Sequence, residues 1–144
     1  MSPGTAKLML IGGGHAHLFV LEAVADKRIP AGAVTLISPH PRQLYSGMVP
    51  GYLAGRYTVD EVTVDLPAVM RSIGGQFREG AVRRLDAAAR TVMLEDGTTL
   101  PWDVASVAIG GVPAGAGIPG VREHAQLVKP IDRLLELRPA LEGA

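Results

Sequence analysis

The feature that most constrains the fold is a glycine triplet set between an apolar run and a helical pattern. Lys7–Ile11 (KLMLI) has the length of a buried strand, and Gly12–Gly14 follows it directly. From His15 to about Lys27 the apolar residues recur at helical spacing, and Ala33–Ser38 (AVTLIS) is a second strand-length run rich in β-branched residues. Two strands joined by one helix through short turns form a βαβ unit, so these strands are parallel. Residues 7–38 therefore predict an α/β fold with a Rossmann-like parallel sheet.

An antiparallel insertion is predicted next along the chain. Residues 39–57 look loop-rich, and residues 66–73 look like a short helix. Residues 76–86 alternate in the manner of a strand, and Asp96-Gly97 is a dipeptide suited to a type I′ turn. This pattern predicts a β-meander of about three strands over residues 76–101, anchored by Phe77, Val82 and Leu85.

Two further elements follow the meander. Val104–Ile109 (VASVAI) reads as a buried strand that closes the parallel sheet, and it ends in a second glycine-rich turn. Residues 131–141 have apolar side chains at near-helical spacing, which predicts a C-terminal helix whose apolar face, if exposed, could support self-association. The length of 144 residues suits one domain, residues 1–144.

Composition excludes several classes of function. The chain has no cysteine, which excludes thiolate metal sites and a redox-active dithiol. Its net charge of +0 gives no electrostatic case for nucleic-acid binding. No apolar run reaches the ~20 residues of a spanning helix, and no signal peptide is evident, so membrane contact is not indicated and a cytoplasmic location is expected.

The glycine triplet suggests a chemistry. A strand that ends in a glycine turn and opens a helix places main-chain N–H groups at the positive helix end, where they suit phosphate. Gly12 and Gly14 fill the first two places of the dinucleotide fingerprint G-x-G-x-x-G. His17 takes the third place, where glycine or alanine normally lets helix and strand pack closely. The alternative is a glycine turn with a purely structural role.

Other polar residues leave two readings open. The second strand ends at Ser38, where such units usually have an acid, so its hydroxyl either holds a ribose or caps the strand. Arg42 either neutralises a phosphate or is an exposed loop arginine. His15 and His17, two residues apart on a helix, point to different faces and no metal site is predicted from them.

Several motifs in order resemble a known family. "LIGGGHAHL", "SPHPRQLYSGMVPGYLAGRYT", the Asp96-Gly97 hairpin and "IGGVP" are similar to the N-terminal FAD-binding segment of the pyridine nucleotide–disulfide oxidoreductase family. The nearest branch is the cysteine-less one with type II NADH dehydrogenase-like proteins, and similar segments are fused to selenide, water dikinase. The resemblance covers residues 7–135 approximately and implies FAD as the cofactor.

The resemblance also implies the cofactor-binding residues. The pyrophosphate would lie on the first helix, and the ribose beside the end of the second strand. One loop would pass the flavin ring, a strand backbone would read the adenine edge, and a small-residue turn would close over the dinucleotide. The residues at the pyrophosphate would be Gly12, Gly13, Gly14, His15 and Ala16, and those at the ribose Ser38 and Pro39, with Arg42 assisting. Ser46 and Gly47 would lie in the loop that passes the flavin ring, and Val82 in the strand that reads the adenine edge. Ile109 and Gly110 would form the turn that closes over the dinucleotide. No catalytic residue and no metal ligand is predicted.

The same resemblance sets an expectation for activity. Family members continue after the segment matched by Lys129-Pro130 into a second domain for NAD(P)H. We therefore expect an incomplete FAD-binding domain of an NAD(P)H-dependent oxidoreductase, without catalysis by this chain alone. The alternatives are direct NAD(P) binding by the first βαβ unit, and a non-catalytic Rossmann module that binds nucleotide weakly or serves in protein interaction.

Overall fold

The structure is a computed structural model that describes residues 6–28, 34–111 and 113–142. Its contacts divide the chain into two compact units, which the single-domain expectation did not separate. Unit 1 takes in the described residues up to Gln43 together with Asp65–Ile109, and unit 2 takes in Leu44–Val64 and the described residues from Gly110 onward.

Unit 1 is built on a four-stranded parallel sheet. Its strands are β1 (Leu8–Ile11), β2 (Val34–Ser38), β5 (Gln76–Glu79) and β9 (Val104–Val107), in the spatial order β5-β2-β1-β9. The helix α1 (His15–Ala25) joins β1 to β2, which confirms the βαβ unit, although residues 29–33, and with them Ala33, lie outside the described part of the chain. The predicted fold class, a Rossmann-like parallel sheet with an antiparallel insertion, is confirmed.

The second sheet of unit 1 is antiparallel. It contains β6 (Val82–Asp86), β7 (Thr91–Leu94) and β8 (Thr99–Pro101) in sequential order. The predicted start of this meander at residue 76 is wrong, because β5 pairs with β2 in the parallel sheet. Alternation of apolar and polar residues indicates a strand with one exposed face, but it does not tell whether that strand belongs to the parallel or to the antiparallel sheet. Leu85 is also not an anchor, since 40% of it is exposed.

The hairpin between β7 and β8 differs from the predicted type I′ turn. That turn needs positive φ at both central residues, but only Gly97 of the pair has it, at +84°. The Gly97 N–H donates to the Leu94 carbonyl and the Leu94 N–H donates to the Thr98 carbonyl. This is the pattern of a three-residue loop with a glycine bulge, and the Asp96 carboxylate completes it by accepting from the Thr98 N–H at 2.8 Å.

The core of unit 1 fills the space between its two sheets. Met9, Ile11 and Ile37 of the parallel strands pack with Val92 and Leu94 of β7, and all five are at most 4% exposed. Burial of such side chains stabilises a fold by about 1.5–3 kcal/mol each. Partly buried residues complete this cluster; they are Val82, Leu100, Trp102 and Ala105.

The opposite face of the parallel sheet is also buried. Leu10 and Leu36 alternate with the core residues above, so their side chains point to the other face, where both are fully buried. Ser106 of β9 pairs in register with Leu10, so its side chain points to the same face as that of Leu10. His17 of α1 makes a hydrogen bond with the Ser106 hydroxyl, which places α1 on that face. A second helix, α3 (Leu66–Ser72), begins at an Asp65 cap whose carboxylate accepts from the Ala68 N–H at 2.8 Å.

The closing strand was predicted to be buried over residues 104–109, and this is wrong in two respects. The strand β9 ends at Val107, and its large side chains are exposed, with Val104 at 54% and Val107 at 56%. The reason is its place at the edge of the parallel sheet, next to β1 alone among the described strands.

The loop-rich appearance of residues 39–57 concealed three short elements, which are β3 (Arg42–Leu44), a 3₁₀ turn (Ser46–Met48) and α2 (Val49–Leu53). The strand β3 pairs with β4 (Thr63–Asp65), and the sequence of each strand is divided between the two units. The 3₁₀ turn, α2 and α4 (Val121–His124) belong to unit 2. A 3₁₀ turn over Ala114–Gly117 and another over Ile131–Arg133 precede α4 and α5 respectively, and α5 (Leu134–Glu142) confirms the predicted C-terminal helix.

The core of unit 2 forms around α2 and α5. Leu44, Val49, Tyr52, Val62 and Leu134 are buried there. The apolar stripe on which the expectation of self-association depended packs largely within this core, and of its residues only Leu141 is exposed, at 58%. None of the helices in the described ranges is both long and apolar enough to cross a bilayer.

Candidate functional site

The candidate site lies at the carboxyl edge of the parallel sheet, where ligands bind in open α/β sheets. The strand β1 ends at Ile11, and the triplet Gly12–Gly14 connects it to α1. Hydrogen bonds from the triplet reach both neighbouring strands: the Gly12 N–H donates to the Ile37 carbonyl at 2.7 Å, and the Gly14 N–H donates to the Ala108 carbonyl at 3.1 Å. The turn is therefore held between β2 and the end of β9.

Ala108, the residue after β9, lies so close to Gly12 and Gly14 that neither position has room for a side chain. A Cβ on Gly12 would lie 2.4 Å from the Ala108 carbonyl oxygen, and a Cβ on Gly14 would lie 2.6 Å from the same atom. Gly12 also has φ of +91°, which side chains rarely adopt. Close packing within unit 1 accordingly explains both glycines without reference to a ligand.

Three main-chain N–H groups at the turn and the start of α1 have acceptors within unit 1. Those of Gly12 and Gly14 donate to strand carbonyls, and that of His17 donates to the Gly14 carbonyl at 2.9 Å. No acceptor within the described residues is found for the N–H groups of Gly13 and Ala16, and the first-turn N–H groups of a helix have no intrahelical partner. Gly14, which the sequence predicted as a phosphate contact, has no free N–H to offer.

The electrostatics of this corner favour an anion. The first turn of α1 contains no acidic residue, so the positive end of the helix is not neutralised there. Ala16 is exposed, His15 and Gly14 are half-buried, and Gly13 is buried with the Leu66 and Gln43 side chains nearby. No group of three or more potential metal ligands occurs in the part of the chain that the structure describes.

Ser38 occupies the end of β2 beside the turn, as predicted. The residue is 3% exposed, and its hydroxyl donates to the His40 carbonyl at 2.9 Å. The Ser38 hydroxyl oxygen in turn accepts from the His40 N–H at 3.3 Å. Pro39 and Arg42 follow on the surface, and Arg42 is engaged in an interaction of its own. The hydroxyl of Ser38 thus closes a local turn, which corresponds to the capping alternative.

The remaining predicted residues are distributed over the two units. Ile109 lies against the turn, since a Cβ on Gly12 would be 2.9 Å from its Cα, and its side chain is 71% exposed. Val82 begins β6 shortly after Gly80, whose N–H donates to the Ser38 carbonyl at 3.0 Å. Ser46, Gly47 and Gly110 belong to unit 2, where Ser46 and Gly47 form the 3₁₀ turn before α2.

His17 is the residue whose role sequence reasoning missed. Its side chain is 1% exposed, with Nδ1 2.6 Å from the Gly12 carbonyl oxygen and Nε2 3.0 Å from the Ser106 hydroxyl. The sequence marked this position only as a departure from glycine or alanine. The available signal was its helical spacing from the buried Leu21 and Val24, which places it on the inner stripe of α1.

Comparisons with known proteins agree with this architecture. No family model matches the chain. It is 23% identical over 142 residues to the external alternative NAD(P)H-ubiquinone oxidoreductase B4 of Arabidopsis thaliana, covering 92% of this chain and 24% of that protein. It is 24% identical over 131 residues to the NADH dehydrogenase-like protein YutJ of Bacillus subtilis, covering 90% of this chain and 36% of that protein. The chain therefore spans 24% and 36% of the lengths of these relatives.

Solved structures share its fold. The sulfide:quinone oxidoreductase of Aquifex aeolicus superposes with a TM-score of 0.81 at 22% identity, over 96% of this chain and 32% of that one. The NDH2 of Plasmodium falciparum, solved with NADH, gives 0.78 at 22% identity, over 93% and 28%. None of the relatives and structures named here is described as a fusion to selenide, water dikinase. The resemblance predicted from the motifs is confirmed: in sequence this chain is similar to NADH dehydrogenase-like oxidoreductases, and in fold to pyridine-nucleotide oxidoreductases.

Proposed function

We propose that this chain is the FAD-binding N-terminal portion of an NAD(P)H-dependent flavoprotein oxidoreductase, with the FAD pyrophosphate at the turn Gly12–Gly14. The observation that supports this most directly is the pair of N–H groups on Gly13 and Ala16, for which no described residue supplies an acceptor. They lie where a parallel strand ends and a helix begins, which is the site that open α/β sheets use for dinucleotides.

The residues of this corner fit a diphosphate. The first turn of α1 contributes a positive helix end without an acidic neighbour, and the exposed Ala16 leaves that end accessible. The glycines keep the turn compact against Ala108, so no side chain at positions 12 or 14 covers the helix end.

The remaining contacts follow the resemblance and are part of the proposal. The main chain at Ser38 and Pro39 would face the ribose, because the Ser38 hydroxyl is already engaged. The Val82 backbone would meet the adenine edge, and Ile109 with Gly110 would border the dinucleotide. Ser46 and Gly47 would lie beside the flavin, and Arg42 would assist the phosphates. FAD, when bound, supplies the hydride-accepting chemistry, and these residues bind and orient it.

The electron donor would be NAD(P)H bound elsewhere in the intact protein. The matched relatives are oxidoreductases named for NADH or NAD(P)H, and this chain corresponds to 24% and 36% of their lengths. We infer that this chain positions FAD and that the reductant-binding site belongs to the portion of such proteins that it does not span.

A second candidate is a Rossmann module without a cofactor. It is favoured by one observation: the Ala108 carbonyl alone requires glycine at positions 12 and 14, so these residues do not by themselves indicate a ligand. For the same reason, replacing Gly14 with a bulky residue does not test the cofactor, because it would disturb the fold first.

The decisive experiment adds charge at a position that the fold tolerates. Ala16→Glu places a carboxylate in the first turn of α1, where it stabilises the helix by ~0.3–1 kcal/mol. At about 6 Å from a bound diphosphate it would oppose two negative charges, at a cost of ~1–3 kcal/mol for an effective dielectric constant of about 40–80. We expect FAD affinity to fall roughly 5- to 150-fold.

The neutral control is Ala16→Gln, which has nearly the same shape and should bind FAD within about threefold of the wild type. Binding would be measured by calorimetry and by flavin absorbance, with NADH and NADPH titrated separately. Failure of the wild-type chain to bind FAD would favour the cofactor-free module. Tighter binding of NADH or NADPH than of FAD would favour direct NAD(P) binding, and equal FAD affinity of the Glu and Gln variants would place the phosphates elsewhere.

A further inference from the structure

His17 connects the candidate phosphate turn to the edge strand through two hydrogen bonds of one imidazole. Its Nδ1 lies 2.6 Å from the Gly12 carbonyl oxygen, five residues away, and its Nε2 lies 3.0 Å from the Ser106 hydroxyl, 89 residues away. With 1% of the residue exposed, water does not compete for either contact.

The chemistry of the partners fixes the roles of the two ring nitrogens. A carbonyl oxygen only accepts hydrogen bonds, so the proton of the Nδ1 contact belongs to the imidazole. In the neutral ring Nε2 is then an acceptor, and the Ser106 hydroxyl donates to it. The imidazole therefore holds the Gly12 carbonyl, and Ser106 holds the imidazole.

Fixing that carbonyl also fixes the next N–H group. The peptide joining Gly12 to Gly13 is planar and trans, so its C=O and N–H bonds point in opposite directions. Because the Gly12 carbonyl is directed at His17, the Gly13 N–H is directed away from the imidazole. No described residue supplies an acceptor for this N–H.

Glycine on both sides makes this peptide otherwise easy to rotate. Neither Gly12 nor Gly13 has a Cβ to restrict φ and ψ, and rotation of the plane would turn the Gly13 N–H inward. The Gly12 N–H is held by Ile37 and the Gly14 N–H by Ala108, which leaves the intervening Gly12–Gly13 peptide to be oriented by the Nδ1 contact.

We propose that His17 is a positioning residue for the phosphate site: its Nδ1–H holds the Gly12 carbonyl so that the Gly13 N–H is presented to the diphosphate. This inference rests on the proposed FAD site. It gives a function to histidine at the third place of the fingerprint, where glycine or alanine is usual. The imidazole supplies an orienting hydrogen bond that neither of those residues can make.

Two amide substitutions separate the contacts of the imidazole. The amide nitrogen of Asn stands where Nδ1 does, so His17→Asn can keep the bond to Gly12 and gives up the bond to Ser106. The longer Gln reaches the position of Nε2, so His17→Gln can keep Ser106 and gives up Gly12. We expect His17→Asn to bind FAD within about threefold of the wild type and His17→Gln to bind about tenfold more weakly.

Helix propensity opposes that order, which makes the pair informative. Gln is the better helix former, so a purely structural role would leave His17→Gln at least as stable and as competent as His17→Asn. A third variant, Ser106→Ala, removes the partner of Nε2. It should lower the melting temperature while leaving FAD affinity within about threefold.

The ligand-free chain provides an independent readout. In ¹⁵N-labelled protein, the Gly13 amide resonance of His17→Asn should stay near its wild-type position and that of His17→Gln should move, and the wild-type imidazole should be the Nδ1–H tautomer. A wild-type chain that does not bind FAD would end the proposed function, whereas the Gly13 resonance would still decide whether His17 orients this peptide. Equal Gly13 shifts in the two variants, or equal FAD affinities, would overturn the role proposed for His17.

Discussion

Replacing Gly14 with alanine tests the packing that defines the candidate site. The backbone at Gly14 has φ of −61° and ψ of 160°, which alanine adopts without strain. The added methyl group would nevertheless lie 2.6 Å from the Ala108 carbonyl oxygen and 3.1 Å from the Ala108 Cβ. The cost is thus steric, and it falls on backbone atoms of another strand end that have little freedom to move.

The size of the effect follows from these contacts. Overpacking of this kind costs ~1–3 kcal/mol. Moving Ala108 away would also weaken its 3.1 Å hydrogen bond with the Gly14 N–H, which contributes ~1 kcal/mol. The reduced freedom of the unfolded chain returns ~0.4–1 kcal/mol. We expect Gly14→Ala to lower the free energy of unfolding by roughly 1–3 kcal/mol without any ligand present.

The matched control is Gly13→Ala in the same turn. Its Cβ would approach the Leu66 Cδ1 at 2.8 Å and the Gln43 Oε1 at 3.0 Å, both of which are ends of flexible side chains. It should therefore cost less than Gly14→Ala. Urea unfolding followed by the fluorescence of Trp102, the single tryptophan and part of the unit 1 core, reports on the right unit. Equal stability of the two variants, or a Gly14→Ala as stable as the wild type, would refute the steric argument.

Two further predictions concern capped turns of unit 1. Asp65→Ala should destabilise α3 by ~1 kcal/mol, because it removes the carboxylate that accepts from the Ala68 N–H, while Asp65→Asn should cost less; urea unfolding measures both, and equal losses would contradict the cap. The second concerns Asp96, whose pKa is lowered from 3.8 chiefly by the Thr98 N–H, then by the Thr98 hydroxyl. A carboxyl group whose pKa is lower in the folded than in the unfolded state stabilises the fold above the unfolded-state pKa, and this contribution is lost as the pH falls. The difference in free energy of unfolding between the wild type and Asp96→Asn should therefore shrink as the pH drops below about 4, as measured by unfolding at a series of acidic pH values. A difference that grows in acid would reverse the sign.

Local pattern was sufficient for the beginning of the fold. The apolar run before Gly12, the helical spacing after it and the β-branched run that ends at Ser38 all report on neighbours in sequence, and the βαβ unit follows from them. The same holds for α3, where Asp65 and Pro67 mark a helix start.

Long-range partners account for the errors. Residues 76–79 alternate as well in a parallel sheet as in a meander, and only the pairing with β2 decides between them. The helix α2 contains Pro50 and Gly51, which read as loop residues, and it is held by packing within the unit 2 core.

The candidate site likewise has features that depend on sequence neighbours and features that depend on distant residues. That Gly12 and Gly14 form a tight turn is a local property, whereas the atom that requires them to be glycine is a carbonyl oxygen at position 108. The role of His17 depends in the same way on Ser106, 89 residues away. No spacing rule connects these positions, so the sequence could indicate the turn but not what holds it.

The two strand carbonyls that restrain the glycine turn have a consequence for how a ligand would be received. Since the Ile37 and Ala108 carbonyls hold the turn from either side and His17 holds the Gly12 carbonyl, the shape of the turn is set by the protein itself before a ligand binds. Little conformational entropy is then lost at this corner when an anion docks, and such preorganisation raises affinity by lowering the cost of ordering rather than by adding contacts. The loop should accordingly have the same backbone course whether it is empty or filled.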